Sequence, residues 1–498
     1  VQETTNDMQK KPRVLFVVFD TFKTERLGIQ ILSAIAGERG WERKLISVSS
    51  LPLPRQIEAA AAWNPDLIAY SAMTFEQYDL QAFNRNLKKV LPDAISIFGG
   101  PHYTFNPEEM EHDEAIDIVC RGEGEIPFPI LLQAIEEGSD YRSLPKCWVR
   151  LGGEIFRNPV GAPVPDLDRL PFPDRELIPE EPGSRIFGNC LAVLFGRGCP
   201  NRCTYCFNAR WNKLHSGHRI CRWRSADNVL RELRQLKERY NPDFIYFHDD
   251  NMALIPRSVL DEFCRRYREE IGIPFLAQFR AEMVTEDLVL ELKKAGMKVA
   301  AIGVECSDEG EAWNLLKRGN VTNTAVKAAF DIFNRHKILN FSQNMAAFPV
   351  RDPLKNDLET IKLNIRCRPT WASFTMLLPL PKTEIHDYAV RNGYLAADAF
   401  DNPEKLPSVF TNTVLDYHNP NITRRVNNLH KLASITVKFP ILLPLVKLLI
   451  RLPLTPLYQF LHFAWYGYWN SIGLFGSKPS TRLIVQGVKA IRQYRKKF

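Results

Sequence analysis

The chain has 498 residues, 45% of them hydrophobic and 24% charged, enough to bury the cores of several domains of about 100–200 residues and unlike a disordered, collagen-like or disulfide-scaffold protein. The net charge of +8 is unevenly placed: residues 421–498 hold 13 Lys or Arg and no Asp or Glu, which leaves 52 basic against 57 acidic residues in 1–420. A mildly acidic main body argues against nucleic-acid binding.

Continuous apolar runs predict buried strands at residues 13–19, 44–48, 66–71, 94–98 and 116–120. Amphipathic runs predict helices at 25–39, 57–63, 80–90 and 129–137. Strands of this kind separated by helices indicate a parallel sheet covered on both faces, so residues 1–150 are expected to form a doubly wound, Rossmann-like α/β domain of about five strands. Residues 151–185 contain Pro163, Pro165, Pro171, Pro173, Pro179 and Pro182 and are expected to be a linker or a draped extension.

The alternation resumes with six predicted strands at 191–195, 244–247, 275–279, 299–304, 341–347 and 373–378. Helices at 226–240, 258–270, 286–295 and 324–336 separate them. This is the pattern of a partial (β/α)6 barrel over residues 186–400, with chemistry at the C-terminal strand ends. Residues 401–498 are expected to be mostly helical. The apolar, aromatic run 437–465 is broken by Lys438, Lys447, Arg451 and four prolines, whereas a spanning helix needs about 20 mostly apolar residues. A transmembrane helix is therefore not expected. The first eleven residues lack the apolar core of a secretory signal. The ten cysteines then read as reduced thiols and the location as cytoplasmic.

The strongest chemical signal is the loop from Gly196 to Cys206, where Cys199, Cys203 and Cys206 stand in a C-x3-C-x2-C spacing directly after a predicted strand. Zinc sites and ordinary ferredoxin clusters take four protein ligands, and no partner C-x2-C lies nearby. Three thiolates aimed at one centre would leave one iron of a 4Fe–4S cluster open. This loop, with Tyr205 as its aromatic residue, resembles that of the radical S-adenosylmethionine (SAM) superfamily. The resemblance implies that Cys199, Cys203 and Cys206 bind the cluster, that SAM chelates the open iron, and that its cleavage yields a 5′-deoxyadenosyl radical. It also suggests SAM contacts at later strand ends: Asp249 within 247–251, Arg280 within 278–280 and Glu305 within 303–305, with Asn344 on the fifth strand. Such residues also serve commonly as caps or ion-pair partners.

A second signal lies in the first domain. Strand ends carry Tyr70 to Thr74, then Gly99-Gly100-Pro101-His102, then Arg121 to Glu125. In this order, ahead of the cysteine loop, they resemble the cobalamin-binding domain of cobalamin-dependent radical SAM enzymes. The resemblance covers about residues 12–400 and implies cobalamin contacts at Ser71, Thr74, Gly99, Gly100 and His102. The stretch from Asp20 to Gly28 lacks the His of a D-x-H-x-x-G motif, so cobalt is expected to have no ligand from it. His102 reads either as a substitute ligand or as a turn residue at the corrin edge.

The activity that these resemblances imply is first that of a methyltransferase acting on an unactivated carbon. An oxidative cyclase or rearrangement enzyme of the porphyrin-ring cyclase type, or a non-catalytic iron–sulfur and cobalamin binding protein, remain alternatives. No catalytic acid or base is legible. The expected partners are an external electron donor such as flavodoxin or ferredoxin and a small, hydrophobic or lipid-like substrate. For residues 421–498 two readings stay open: an anionic membrane surface at the inner face of the membrane, or helices that cap the barrel beside a solvated tail.

Overall fold

The structure, a computed structural model, describes residues 11–19, 25–48, 53–178, 189–319, 321–401 and 407–474. Its contacts divide the chain into two units, residues 1–182 with 217–219 and residues 183–216 with 220–498.

In the first unit seven strands form one sheet: β1 (Arg13–Val18), β2 (Glu42–Ser47), β3 (Leu67–Ser71), β4 (Ile95–Gly99), β5 (Ile118–Cys120), β6 (Cys147–Leu151) and β7 (Glu154–Arg157). Their order is β2-β1-β3-β4-β5-β6-β7, parallel through β5 and antiparallel beyond it. β1 lies between β2 and β3, which explains its unbroken apolar run. The doubly wound core matches the expectation. The hairpin β6–β7 is additional, closed by Gly152 and Gly153 at φ 59° and 84°, a two-residue turn that requires left-handed backbone at both positions.

Beyond the hairpin the described part of 151–185 is draped over this unit and is not a free linker. Lys146 Nζ donates to Val160 O at 2.8 Å, Val164 N donates to Glu123 at 2.6 Å, and Ser33 Oγ donates to Asp174 at 2.7 Å. Arg175 pairs with Glu25, and Leu177 is buried in the sheet's core.

The second unit opens with β8 (Cys190–Val193), at whose exit stands a short antiparallel pair, β9 (Gly196–Arg197) with β10 (Arg222–Trp223). Five longer strands come after it: β11 (Phe244–Phe247), β12 (Phe275–Arg280), β13 (Met297–Glu305), β14 (Leu339–Ala346) and β15 (Trp371–Met376). With β8 they form a parallel sheet of six strands in the order β15-β14-β13-β12-β11-β8. All six predicted strands are present, and helices Ala226–Tyr240, Arg257–Glu270, Glu286–Ala295 and Asn323–Arg335 cover one face. Helices on one face of a sheet whose strands follow chain order make a partial barrel.

The opposite, inward face is closed near the strand starts by the C-terminal segment. Phe244, Leu276, Val299, Phe341 and Trp371 form one cluster with Trp469 and Leu474, and Trp465 and Tyr466 pack against it. The capping reading thus holds for this part of the C-terminal region, while the basic residues from Lys478 onward lie outside the described residues. Among the described residues no helix is long and apolar enough to cross a membrane.

Helix Pro353–Cys367 is tied to the end of β14 by buried Asp357, which accepts from Ala347 N at 3.3 and 3.2 Å and from Asn356 Nδ2 at 3.1 Å. Burial pushes the Asp357 carboxyl up to about 7. The folded protein therefore holds a proton that the unfolded chain releases above its ordinary value near 4, so this contribution is full below about pH 4 and is lost as pH rises through 7. The stability deficit of Asp357→Asn relative to wild type should shrink between pH 4 and 7 in thermal melts. A deficit that grows over that range would contradict the assignment.

Candidate functional site

The cysteine loop leaves β8 at the C-terminal edge of the sheet. Its first turn needs glycine: Gly198 sits at φ 94°, and a Cβ there would meet Ile220 O at 2.4 Å. The departure angle is fixed by Asp249, at the end of β11, whose two carboxylate oxygens accept from Phe195 N at 3.0 Å and Gly196 N at 2.6 Å. Burial pushes this carboxyl up to about 7, against the pull of those two N–H groups. The neighbouring Asp250 accepts from Asn208 Nδ2 at 2.8 Å.

Further along, Asn212 Nδ2 donates to Cys199 O at 2.9 Å. Thr204 Oγ1 donates to Leu315 O at 2.8 Å, and Thr204 N to Leu316 O at 3.2 Å. All three cysteines are free thiols, with Cys199 and Cys203 buried and Cys206 partly so. The Cys206 thiol is pushed up to about 11 by burial, with Cys203 and Cys199 adding to the shift.

Arg280 and Arg318 stand beside them, both buried. Arg280 lies 3.5 Å from Cys203 Sγ, bonds Glu282 at 2.6 Å and reaches Arg318 O at 2.8 Å. Arg318 holds Val304 O at 2.6 Å and Gly303 O at 3.1 Å. Glu305 adopts φ 64° where the register of β13 against β14 shifts, a strained conformation for a residue with a side chain. Burial raises its carboxyl above the ordinary range, against the charge of Arg318 and a hydrogen bond with Tyr205. A Cβ on Gly303 would come within 3.0 Å of Glu305 Oε1 and 3.4 Å of Arg318, so glycine keeps room for this pair. Arg280, Glu305 and the cysteine loop thus converge at the strand ends, joined by Arg318 and Glu282.

Asn344 does not join them. It donates to Ser342 Oγ and Ser373 O, both at 2.9 Å, and accepts from Asn364 Nδ2 at 2.8 Å, facing helix Pro353–Cys367. Its neighbour Gln343 shares the inward parity of Phe341.

In the first unit the predicted residues gather at the ends of β3 and β4. Gly100, at φ 89°, would place a Cβ 2.7 Å from Ala72 O and 2.9 Å from Ser71 Oγ, so this glycine lets β4 close onto β3. Gly99 ends β4, with Ala72 N donating to its carbonyl at 3.1 Å. The ring of His102 is buried, with Thr74 Oγ1 at 3.5 Å on Nδ1 and Glu109 Oε1 at 3.3 Å on Nε2. Both of its nitrogens face protein partners. Beside this turn Met73 is half exposed, and the partly buried Arg26–Glu76 pair at 2.9 Å joins the exits of β1 and β3. This is the topological switch point of the sheet, where open α/β sheets bind ligands.

Two families match the chain: the B12 binding domain over residues 15–132 and the Radical SAM superfamily over residues 193–359. The chain is a radical SAM enzyme with a B12-binding domain. This B12-binding radical SAM enzyme is 27% identical over 338 residues to an uncharacterised methyltransferase of Pyrococcus horikoshii, covering 67% of this chain and 71% of that one. It is 25% identical over 379 residues to the anaerobic magnesium-protoporphyrin IX monomethyl ester cyclase of Rubrivivax gelatinosus, covering 71% and 66%. Its fold is similar to that of the radical SAM methyltransferase TsrM of Kitasatospora setae, with a TM-score of 0.61 at 15% identity over 77% and 75% of the two chains.

The residues of this radical SAM enzyme fit the cofactors its domains imply. Among the described residues no group of three His, Cys, Asp or Glu side chains is placed to hold a metal ion; Cys199, Cys203 and Cys206 are free thiols on one loop, with the buried Arg280 guanidinium 3.5 Å from Cys203 Sγ. Arg318 Nε and Glu282 Oε2 are buried without a protein partner, polar atoms of the kind that an amino acid-bearing cofactor satisfies. Arg318 and Glu282 carried no sequence signal. Arg318 arrives from the helix Glu311–Leu316 through Lys317 at φ 50°, a reversal that no motif marks.

Replacing Asp249 with alanine strands two buried N–H donors at the base of the loop, a local cost of about 2–5 kcal/mol. Iron bound per chain after anaerobic reconstitution should fall severalfold in Asp249→Ala with the circular dichroism retained, and much less in Asp250→Ala. Wild-type iron content in Asp249→Ala would contradict this role.

Proposed function

We propose that the protein is a methyltransferase that uses SAM and cobalamin to methylate an unactivated carbon of a small, hydrophobic substrate. The observation that carries this reading is the pairing, in one chain, of a three-cysteine loop at the mouth of a partial barrel with a doubly wound B12-binding sheet. Cys199, Cys203 and Cys206 would hold the cluster, while Ser71, Thr74 and the Gly99–Gly100 turn would meet the corrin. Bound there, the cluster supplies the electron that cleaves SAM, and cobalamin supplies the carrier that passes a methyl group to carbon.

The chain's own residues do the rest. Arg280 and Arg318 offset the negative charge that three thiolates bring into a buried site. Glu305, oriented by Arg318 and Tyr205, presents a carboxylate to the cofactor, and Asp249 fixes the loop that carries the cysteines. Gln278 and Gln343 share the inward parity of Leu276 and Phe341 and stand one step nearer the open end, and Thr375 stands two steps beyond Trp371, where polar groups orient a substrate. The Trp469–Leu474 plug keeps water from entering at the other end.

An external electron donor such as flavodoxin or ferredoxin, a cytoplasmic location and contact with an anionic membrane belong to the same proposal. The similarity to the Rubrivivax cyclase favours one second reading, oxidative ring closure on the same cofactors. Reconstituted protein given methyl-deuterated SAM, reductant and a lipid extract of the producing cells should yield a product carrying the deuterated methyl group. Formation of 5′-deoxyadenosine with an unlabelled product would contradict methyl transfer and favour the cyclase reading.

A further inference from the structure

Ten of the fifteen exposed large hydrophobic side chains among the described residues lie between Phe439 and Tyr468. Ile441, Leu445, Leu448 and Leu452 recur at helical spacing along the turn Pro440–Leu442 and the helix Leu443–Leu449, while Val446 and Ile450 face inward and are buried. In the following helix, Thr455–Tyr468, Leu457, Phe460 and Leu461 face outward, and Tyr458 and His462 are buried. Ile441 is 88% exposed, Phe460 69% and Leu448 60%.

This face is held rigidly. From helix Pro420–Lys438, Asn428 Nδ2 donates to Ile450 O and Leu452 O, both at 3.1 Å. Thr455 Oγ1 donates to Asn428 Oδ1 at 2.8 Å, and Tyr458 hydroxyl to Leu449 O at 3.0 Å. A contiguous apolar face of this kind marks an interaction site. Residues 421–474 carry six basic and no acidic residues, among them Lys438, Lys447 and Arg451 around the exposed leucines. Two copies meeting through this face would bring like charges together, whereas an anionic bilayer supplies both the apolar phase and the opposite charge.

We propose that residues 439–461 form an interfacial membrane-binding surface: the helical hairpin lies in the plane of an anionic bilayer, with Ile441, Leu448 and Phe460 dipped among the acyl chains and Lys447 and Arg451 at the headgroups. The inference deepens the hydrophobic-substrate reading of the proposed function, since it places the enzyme on the phase where such a substrate dissolves. It is read out without turnover, so failure of methyl transfer leaves it standing and its own failure leaves methyl transfer untouched.

The test is co-sedimentation of the full chain with vesicles of phosphatidylcholine and phosphatidylglycerol. Wild type should bind, more weakly on pure phosphatidylcholine or in high salt. The triple variant Ile441→Glu, Leu448→Glu, Phe460→Glu should lose about 100-fold or more in partitioning, with iron content and circular dichroism unchanged because all three side chains are exposed. The proposal is overturned if wild type fails to bind anionic vesicles or if the triple variant binds as wild type does. It is overturned equally if deletion of residues 475–498 abolishes binding that the triple variant keeps, or if the triple variant converts a dimer to a monomer while vesicle binding is unchanged.

Discussion

Two hydrogen bonds, from Phe195 N and Gly196 N to the carboxylate of Asp249, set the geometry on which the site depends. They join the exit of β8 to the end of β11 and so decide where the cysteine loop leaves the sheet. A buried carboxylate is costly unless its lone pairs are used. Here both oxygens are used by backbone donors, which makes the loop's starting direction a property of the sheet. The rest of the loop is then pinned by Gly198, Asn212 and Thr204, and Cys203 Sγ meets the guanidinium of Arg280, which in turn bonds the carbonyl of Arg318.

The same sheet divides its labour along the strands. Inward positions near the strand starts are large and apolar and are filled by Trp469 and Leu474. Inward positions near the strand ends are Gln278, Arg280, Gly303, Glu305 and Gln343. Stability and chemistry thus occupy opposite ends of one face, as expected for parallel barrels. The C-terminal segment has two sides of its own: the inner one closes the barrel, and the outer one presents the apolar, cationic face.

The cysteine loop was legible because its three cysteines lie within eight residues and their spacing alone limits the chemistry. The parallel strands of the two cores were legible because unbroken apolar runs such as Val14–Val17 have few other uses. The hairpin β6–β7 was not, since a half-exposed edge hairpin has no continuous apolar run and its Gly152-Gly153 signal sits at the start of a Pro-rich stretch. Asn344 stands on the fifth strand, where the resemblance suggests a cofactor contact, but side-chain alternation from Phe341 turns it outward and Gln343 inward. Arg318 could not be read from sequence. It enters the site through a left-handed turn after a six-residue helix, and its partners lie more than a dozen residues away along the chain. Asp249 and Glu305 were singled out by position at strand ends. The bonds that make one a staple and the other a strained carboxylate beside Arg318 exist only in the folded sheet.

The central claim is a cluster held by three cysteines with one iron left for SAM. It is tested most directly by electron–nuclear double resonance on the reduced, reconstituted protein with SAM labelled by nitrogen-15 in its amino group. The account predicts hyperfine coupling between that nitrogen and the cluster, absent in Cys203→Ala. A wild-type cluster that shows no such coupling, or a coupling that survives in Cys203→Ala, would contradict it.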